Sequence, residues 1–145
     1  MPPLLIIENL VVNFHAEEGI VRPLRGVNLS IETGETLAVV GESGCGKSVS
    51  ALSVMRLVPV PPGQYESGAI WFKGRNLLEA TEAEMRRVRG NDIGMVFQEP
   101  MTSLNPIFTI GDQIAEAIIL HQNKKPQEAR ELTLEILNQV AMPSP

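Results

Sequence analysis

The residues with the clearest chemical purpose lie in a short glycine-rich segment near position 45. The segment is Gly41-Glu42-Ser43-Gly44-Cys45-Gly46-Lys47-Ser48, which fits the pattern G-x-x-x-x-G-K-[ST]. Glycines let the backbone curl so that successive N–H groups point inward, where they can bind phosphate oxygens. Lys47 adds a positive charge for the outer phosphates, and Ser48 offers a hydroxyl to an accompanying Mg²⁺. The segment therefore predicts a site for a nucleoside triphosphate.

The sequence on both sides of this loop supports that prediction. Before it, residues 36–40 form a short apolar run that predicts a buried strand. After it, residues 49–58 place Leu52, Met55 and Val58 on one helical face. A phosphate-binding loop of this kind lies between a strand and a helix, and the predicted elements have that order. The helix N-terminus adds its dipole to the anion site. The alternative is a plain glycine-rich turn, which needs neither the lysine nor the serine.

The rest of the chain alternates predicted strands and helices. Strands are predicted at about 4–14, 27–31, 69–72 and 93–97, and further helices from Thr81, at about 110–121 and at about 126–141. Thr81-Glu82-Ala83-Glu84 is a capping box, which marks the start of the second helix. That helix carries Arg86, Arg87 and Arg89, which we interpret as a solvated face and not as a ligand site.

Composition excludes several other classes of protein. A length of 145 residues is sufficient for one domain with a core, and a net charge of −5 argues against general nucleic-acid binding through a basic surface. The single cysteine excludes an internal disulfide and a multi-cysteine metal site within this chain. No apolar run approaches the roughly 18 residues of a membrane span, and the start has no basic region typical of a secretory signal. We therefore expect a cytoplasmic protein.

The whole chain resembles the N-terminal part of an ABC-transporter ATPase. Within that family it is similar to the importer subunits for oligopeptides, dipeptides, nickel and glutathione. The loop at 41–48 carries the resemblance together with Val96-Phe97-Gln98-Glu99-Pro100-Met101-Thr102-Ser103-Leu104-Asn105-Pro106, which resembles the Q-loop of that subfamily. His121-Gln122-Asn123 resembles the glutathione importers in particular.

The resemblance implies an α/β fold of the P-loop NTPase type with an N-terminal antiparallel β subdomain. Residues 1–98 would hold this subdomain and the start of the P-loop core. Residues 99–145 would hold the Q-loop and the start of a helical subdomain.

The same resemblance implies a role for each candidate site residue. The phosphates of ATP would be wrapped by Ser43, Gly44, Cys45, Gly46, Lys47, Ser48 and Val49. Gln98 would reach Mg²⁺, which Ser48 also binds, or the attacking water; the alternative is an ordinary surface amide. Phe14 lies 27 residues before Gly41, where the family has an aromatic residue that stacks on adenine. The alternative for Phe14 is a core residue at a strand end.

The implied partners are those of a membrane transport complex. Residues 99–120 would meet the transmembrane permease subunits, although a plain proline-bounded loop is the alternative. A second ATPase subunit and a solute-binding protein would complete the assembly, at the cytoplasmic face of the inner membrane and without nucleic acid. The implied function is ATP-driven import of peptides or a similar small solute.

The chain also departs from the family pattern. A signature motif, a strand ending in Asp-Glu and a switch histidine are not found in its 145 residues. We therefore expect a fragment that binds ATP and contains no catalytic residue, with hydrolysis belonging to the full-length parent. Two alternatives stay open: an ABC-type ATPase of repair or translation with no membrane partner, and a fragment whose only property is nucleotide binding.

Overall fold

The computed structural model describes residues 2–98 and 103–143, and the chain divides into two compact units. The first unit comprises residues 1–85 and the second comprises residues 86–145. The elements in chain order are β1 (Leu5–Ala16), β2 (Gly19–Ile31), α1 (Lys47–Val54), β3 (Gly63–Phe72), β4 (Arg75–Asn76), α2 (Glu82–Val88), α3 (Ile110–Gln122) and α4 (Pro126–Gln139). In the described ranges, no helix is both long enough and apolar enough to cross a bilayer.

The first unit is built on an antiparallel sheet in the order β2-β1-β3-β4. The central strand β1 pairs with β2 and β3 and buries Ile7, Leu10 and Val12. Branched apolar side chains suit such a surface because they pack well against neighbours on the pleat. The core of this unit also contains Leu24, Val54, Met55, Val58, Ile70, Phe72, Leu77 and Met85. The predicted antiparallel β subdomain is thereby confirmed.

The helix predicted from the capping box is also present. The backbone N–H of Thr81 donates to Glu84 Oε2 at 2.7 Å, and the Glu84 N–H donates to Thr81 Oγ1 at 3.3 Å. These two bonds satisfy N–H groups that have no partner within the helix. Helix α2 therefore begins where the sequence predicted it.

The second unit contains an antiparallel pair of helices, and both were predicted. Ala115 and Ile118 of α3 and Ala129 of α4 are buried against each other. The sequence predicts an apolar stripe on α4 at 129, 132, 136, 137 and 140, and its members Ala129 and Leu137 are buried. Ile136 and Val140 are instead 38% and 67% exposed, and Thr133, which is not part of the predicted stripe, is buried. Thr133 tolerates burial because its hydroxyl donates to the carbonyl oxygen of Ala129 at 2.7 Å.

Two strand predictions were wrong. Residues 36–40 and 94–97 have no strand assignment, and Ile93 makes only an isolated bridge with Arg89. Val40 is 92% exposed and Val96 is 93% exposed, so neither run is buried throughout. A parallel-type strand needs a neighbour that completes its hydrogen-bond ladder. Within residues 2–98 and 103–143, neither segment pairs with a strand.

Candidate nucleotide-binding site

The glycine loop turns sharply at two positions that only glycine adopts without strain. Gly44 and Gly46 have φ angles of 83° and 94°, in the left-handed region. Between them, the N–H of Cys45 donates to the carbonyl oxygen of Glu42 at 3.4 Å and closes a turn. Gly46 is then the N-cap of α1. The first turn of α1 therefore follows the loop directly.

The ammonium group of Lys47 lies inside this loop. Its Nζ donates to the carbonyl oxygens of Gly41 at 2.7 Å and Glu42 at 2.6 Å, and it lies 3.4 Å from the Cys45 sulfur. The side chain thus folds back over the loop that precedes it. A cation held at this point is well placed to contact phosphate oxygens that bind to the loop.

The N-terminus of α1 has the properties of an anion site. No side chain caps it, and its first turn contains no acidic residue. Its first N–H groups and its positive dipole end are therefore not neutralised by a carboxylate of the helix itself. Ser48 is exposed in this turn and Val49 is half-buried. The residues predicted to bind phosphate thus lie in the loop and the first turn of α1, and their contact with phosphate stays a prediction.

The loop is held against the sheet at Gly46. A Cβ added to Gly46 would lie 2.6 Å from the carbonyl oxygen of Pro23 and 2.8 Å from Leu24 Cδ2, both in β2. Strand β2 is in turn paired with β1, where Leu24 is opposite Val12. Phe14 lies two residues further along β1, a distance of about 6.8 Å along a strand. The first unit therefore brings Phe14 and the glycine loop to the same part of the sheet.

Phe14 is half-buried at the end of β1, opposite Val21 and Gly63. A Cβ added to Gly63 would lie 3.4 Å from Phe14 Cε1, so one part of the ring lies close to the backbone of β3. Because the ring is only half-buried, part of its surface is accessible for stacking with another planar group. This position is compatible with stacking on a base, which stays a prediction.

Gln98 is an exposed residue of the second unit. Its predicted contact with Mg²⁺ or with the attacking water stays a prediction. The four residues that follow it, 99–102, belong to the predicted Q-loop and to the predicted permease contact, and they lie outside the described residues.

A residue that the sequence reasoning missed organises the segment after the Q-loop. The amide of Gln113 donates to the carbonyl oxygens of Asn105 at 2.9 Å and Phe108 at 3.1 Å, and its Oε1 accepts from the Asn105 N–H at 2.8 Å. Thr109 caps α3 by accepting from the Asp112 N–H at 3.1 Å. The only available signal was the Thr109-x-x-Asp112 spacing, because the contacts of Gln113 are with backbone groups five and eight residues away.

The residues present suit Mg²⁺ only as part of a nucleotide complex. The described residues contain no group of three or more His, Cys, Asp or Glu side chains that could hold a metal. Ser48 offers the hard oxygen ligand that Mg²⁺ prefers, and this ion binds proteins through few side chains together with phosphates and water. Ser48 therefore fits a cation that a bound nucleotide would bring.

Comparison with known proteins identifies the family. A model of the ABC transporter family matches residues 24–144, which includes the glycine loop and both long helices. The chain belongs to the ABC transporter family. Curated relatives agree: it is 51% identical over 142 residues to a probable peptide ABC transporter ATP-binding protein, y4tR, of Sinorhizobium fredii. It is 45% identical over 142 residues to the oligopeptide transport ATP-binding protein OppD of Bacillus subtilis.

These matches cover almost all of this chain but less than half of each relative. The match to y4tR covers 98% of the chain and 42% of the relative, and the match to OppD covers 98% and 40%. The glutathione import ATP-binding protein GsiA of Salmonella typhimurium is 48% identical, with 97% of the chain and 23% of the relative covered. The chain thus corresponds to one part of longer ABC proteins.

Solved structures show the ABC ATPase fold. The dimeric post-hydrolysis structure of the ATP-binding cassette MJ0796, bound to ADP and Pi, superposes with a TM-score of 0.81. The match covers 97% of this chain and 58% of that one at 24% identity. A second dimeric structure of the same cassette matches equally well. The expected fold is therefore confirmed for the part of the domain that this chain represents.

Proposed function

We propose that this chain is the nucleotide-binding part of an ABC importer that takes up peptides or a similar small solute. The observation that carries the proposal is the glycine loop, with Lys47 inside it and the uncapped N-terminus of α1 behind it. The family match and the names of the relatives, which refer to peptides, oligopeptides and glutathione, support the class of solute.

In this proposal the loop binds ATP through its backbone N–H groups and through the side chains of Lys47 and Ser48. The N–H groups from Ser43 to Val49 bind the phosphate oxygens, and the ammonium of Lys47 moves from the Gly41 and Glu42 carbonyls to the outer phosphates. Ser48 would contribute a hydroxyl to Mg²⁺. The role proposed for Gln98 is that of the Q-loop glutamine, which would reach Mg²⁺ or the attacking water. Phe14 stacks on the adenine ring. Bound Mg²⁺ supplies neutralisation of phosphate charge, which is its usual contribution to phosphoryl transfer.

The proposed contact with the permease subunits lies within residues 99–120. Its described part, from Ser103 onward, exposes Leu104 by 48%, Ile107 by 84%, Phe108 by 60% and Ile110 by 42%. The Gln113 amide donates to three backbone carbonyl oxygens of this segment, those of Asn105, Phe108 and Thr109. An exposed apolar segment with a fixed backbone is typical of a protein–protein contact.

The whole complex is proposed to contain a second ATPase subunit and a solute-binding protein, at the cytoplasmic face of the inner membrane and without nucleic acid. Hydrolysis is proposed as the activity of the parent ATPase, and no catalytic role is assigned to a residue of this chain. The alternative of a repair or translation ATPase has no comparable support, since the relatives compared above are named for transport or import.

Photolabelling with 8-azido-ATP tests the proposed position of the base. Adducts should map to peptides that contain β1 near Phe14 or its neighbours in β2 and β3, and excess ATP should suppress them. Labelling that is spread evenly over the chain, or that excess ATP does not reduce, would contradict the proposed nucleotide site.

Co-purification from membranes tests the proposed partner. The tagged protein should bring down integral membrane subunits, and Phe108→Glu should reduce their recovery because it places a charge within the apolar segment. Glu131→Gln on exposed α4 is a matched control that should retain them. Recovery of ribosomal or DNA-repair proteins instead of membrane subunits would favour the alternative function.

A further inference from the structure

A second feature of the molecule could bind an anion, and it lies wholly within the second unit. A cavity of about 860 Å³ is lined by residues from the end of α2, the turn after it and the end of α3. Ligand pockets for small organic molecules have volumes of about 300–1,000 Å³. The cavity is therefore larger than a single inorganic phosphate requires and suits a small organic molecule.

The lining of this cavity is basic. Arg86, Arg87 and Arg89 line it, together with His121, and among the residues 2–98 and 103–143 that the structure describes no carboxylate lines it. These are three of the 12 Lys and Arg residues of a chain whose net charge is −5, so the cavity stands out against an acidic background. Asn91 and Asn123 also line the cavity, and their amides are neutral hydrogen-bonding groups.

The wall of the cavity is closely packed where α3 ends. Gly90 has a φ angle of 83°, and an added Cβ would lie 2.5 Å from His121 Nε2. Asn123, the C-cap of α3, is also left-handed, with a φ angle of 52°. The turn at Gly90 and the imidazole of His121, which lines the cavity, therefore lie in close contact.

A purely structural role accounts for only part of this charge. The C-terminal ends of α2 and α3 each carry roughly half a negative charge, so together they offset about one of the three guanidinium charges. Asp92, which follows the lining residue Asn91 in the sequence, offsets one further positive charge. Lys124 and Lys125, which follow Asn123, add two positive charges, more than Asp92 offsets. Arg89 and Asp92 have interactions of their own. Arg86 and Arg87 form no ion pair with another residue in the described ranges, and both are exposed.

The sequence alone indicated a solvated face for Arg86, Arg87 and Arg89, but they line one cavity in the structure. We propose that this cavity binds a small molecule that carries two or more phosphate groups. Guanidinium groups bind phosphate through two parallel N–H···O bonds, a geometry that the ammonium of lysine does not match. Arg86 and Arg87, which have no ion-pair partner among the described residues, can each hold a separate phosphate, while the amides orient the remainder of the molecule. The inference is independent of the glycine loop, since none of the lining residues belongs to residues 41–48.

Calorimetry with inositol hexakisphosphate as the probe tests this site, with unphosphorylated inositol as the null ligand and about 0.15 M salt to suppress diffuse attraction. The wild-type protein should bind the phosphorylated probe only. Arg87→Ala should lower the affinity for the phosphorylated probe about tenfold. Arg87→Lys should lower it severalfold, because lysine keeps the positive charge but has no pair of parallel N–H groups to bind two phosphate oxygens. Lys124→Ala removes the same charge from outside the lining and should change affinity less than twofold.

Several results would overturn the proposal. These are no binding of the probe by wild type, equal binding of inositol, or an equal loss for Lys124→Ala and Arg87→Ala. A lower melting temperature for Arg87→Ala with unchanged probe affinity would assign the arginines a structural role only. Loss of probe binding in Lys47→Ala would place the probe on the glycine loop instead.

The phosphate groups could belong to a soluble metabolite or to a lipid headgroup, and a second arm separates these sources. Sedimentation with phosphatidylcholine vesicles that contain a phosphatidylinositol bisphosphate measures access to a headgroup. Vesicle binding that Arg87→Ala removes supports the cavity with a lipid as the source. Binding of the soluble probe without vesicle binding supports the cavity with a soluble ligand.

Discussion

The contact between Gly46 and β2 gives the sharpest prediction about how the loop is positioned, and Gly44 provides a matched control. Both glycines are left-handed, so alanine at either position incurs a strain of about 1–2 kcal/mol. Part of this is offset because alanine reduces the entropy of the unfolded chain by about 0.4–1 kcal/mol. A Cβ at Gly44 meets nothing within 4 Å. Gly44→Ala should therefore lower the free energy of unfolding by only about 1 kcal/mol.

Gly46→Ala adds a steric cost to the same strain. Its Cβ would lie 2.6 Å from the carbonyl oxygen of Pro23, and this carbonyl belongs to a strand that is paired with β1 and cannot shift freely. Overpacking of this kind costs about 1–3 kcal/mol. We expect Gly46→Ala to lose about 2–4 kcal/mol in total, measured by urea unfolding in the absence of nucleotide. A difference between the two variants below about 0.5 kcal/mol would refute the proposed packing of the loop against β2.

Three further predictions concern the base site, the capped helix and the chemistry. Phe14→Tyr should keep the affinity for Mg²⁺-ATP, while Phe14→Ala should weaken it by about 1–3 kcal/mol without unfolding the protein; a sharp fall in melting temperature without nucleotide would instead make Phe14 a core residue. Thr109→Ala should destabilise α3 by about 1 kcal/mol in thermal unfolding, because the Asp112 N–H loses its cap; Thr109→Ser should restore most of it, and equal losses for both variants would argue against capping. Phosphate release from ATP by the purified 145-residue chain should equal that of its Lys47→Ala variant. The reason is that a loop that binds the ground state and the transition state equally tightly does not speed the chemical step. ATP turnover that Lys47→Ala abolishes would show a catalytic group that we have missed.

Local signals in the sequence predicted the parts of the structure that depend on near neighbours. The capping box at Thr81 and Glu84 joins residues three apart, and the glycine loop joins residues at most seven apart, so a short window contains their partners. The α3 and α4 helices have apolar stripes and terminal signals of the same local kind. These elements were predicted close to their observed positions.

The failures concern interactions between distant residues. Residues 36–40 and 93–97 have the composition of buried strands, but a strand is completed by a partner that no short window contains. Gln113 was missed because a glutamine that bonds to backbone carbonyls leaves no pattern in the sequence. The cavity formed with His121 was missed for a similar reason, since Gly90 and His121 are 31 residues apart and meet only after folding.

The central claim is that the loop around Lys47 binds a nucleoside triphosphate, and calorimetry with Mg²⁺-ATP tests it most directly. A charge-assisted contact of the Lys47 ammonium with phosphate is worth roughly 1.5–3 kcal/mol, so Lys47→Ala should lower affinity about ten- to a hundredfold. Lys124→Ala removes the same charge outside the loop and should leave the affinity unchanged. Equal affinities for wild type and Lys47→Ala, measured on folded protein, would contradict the assignment of the loop.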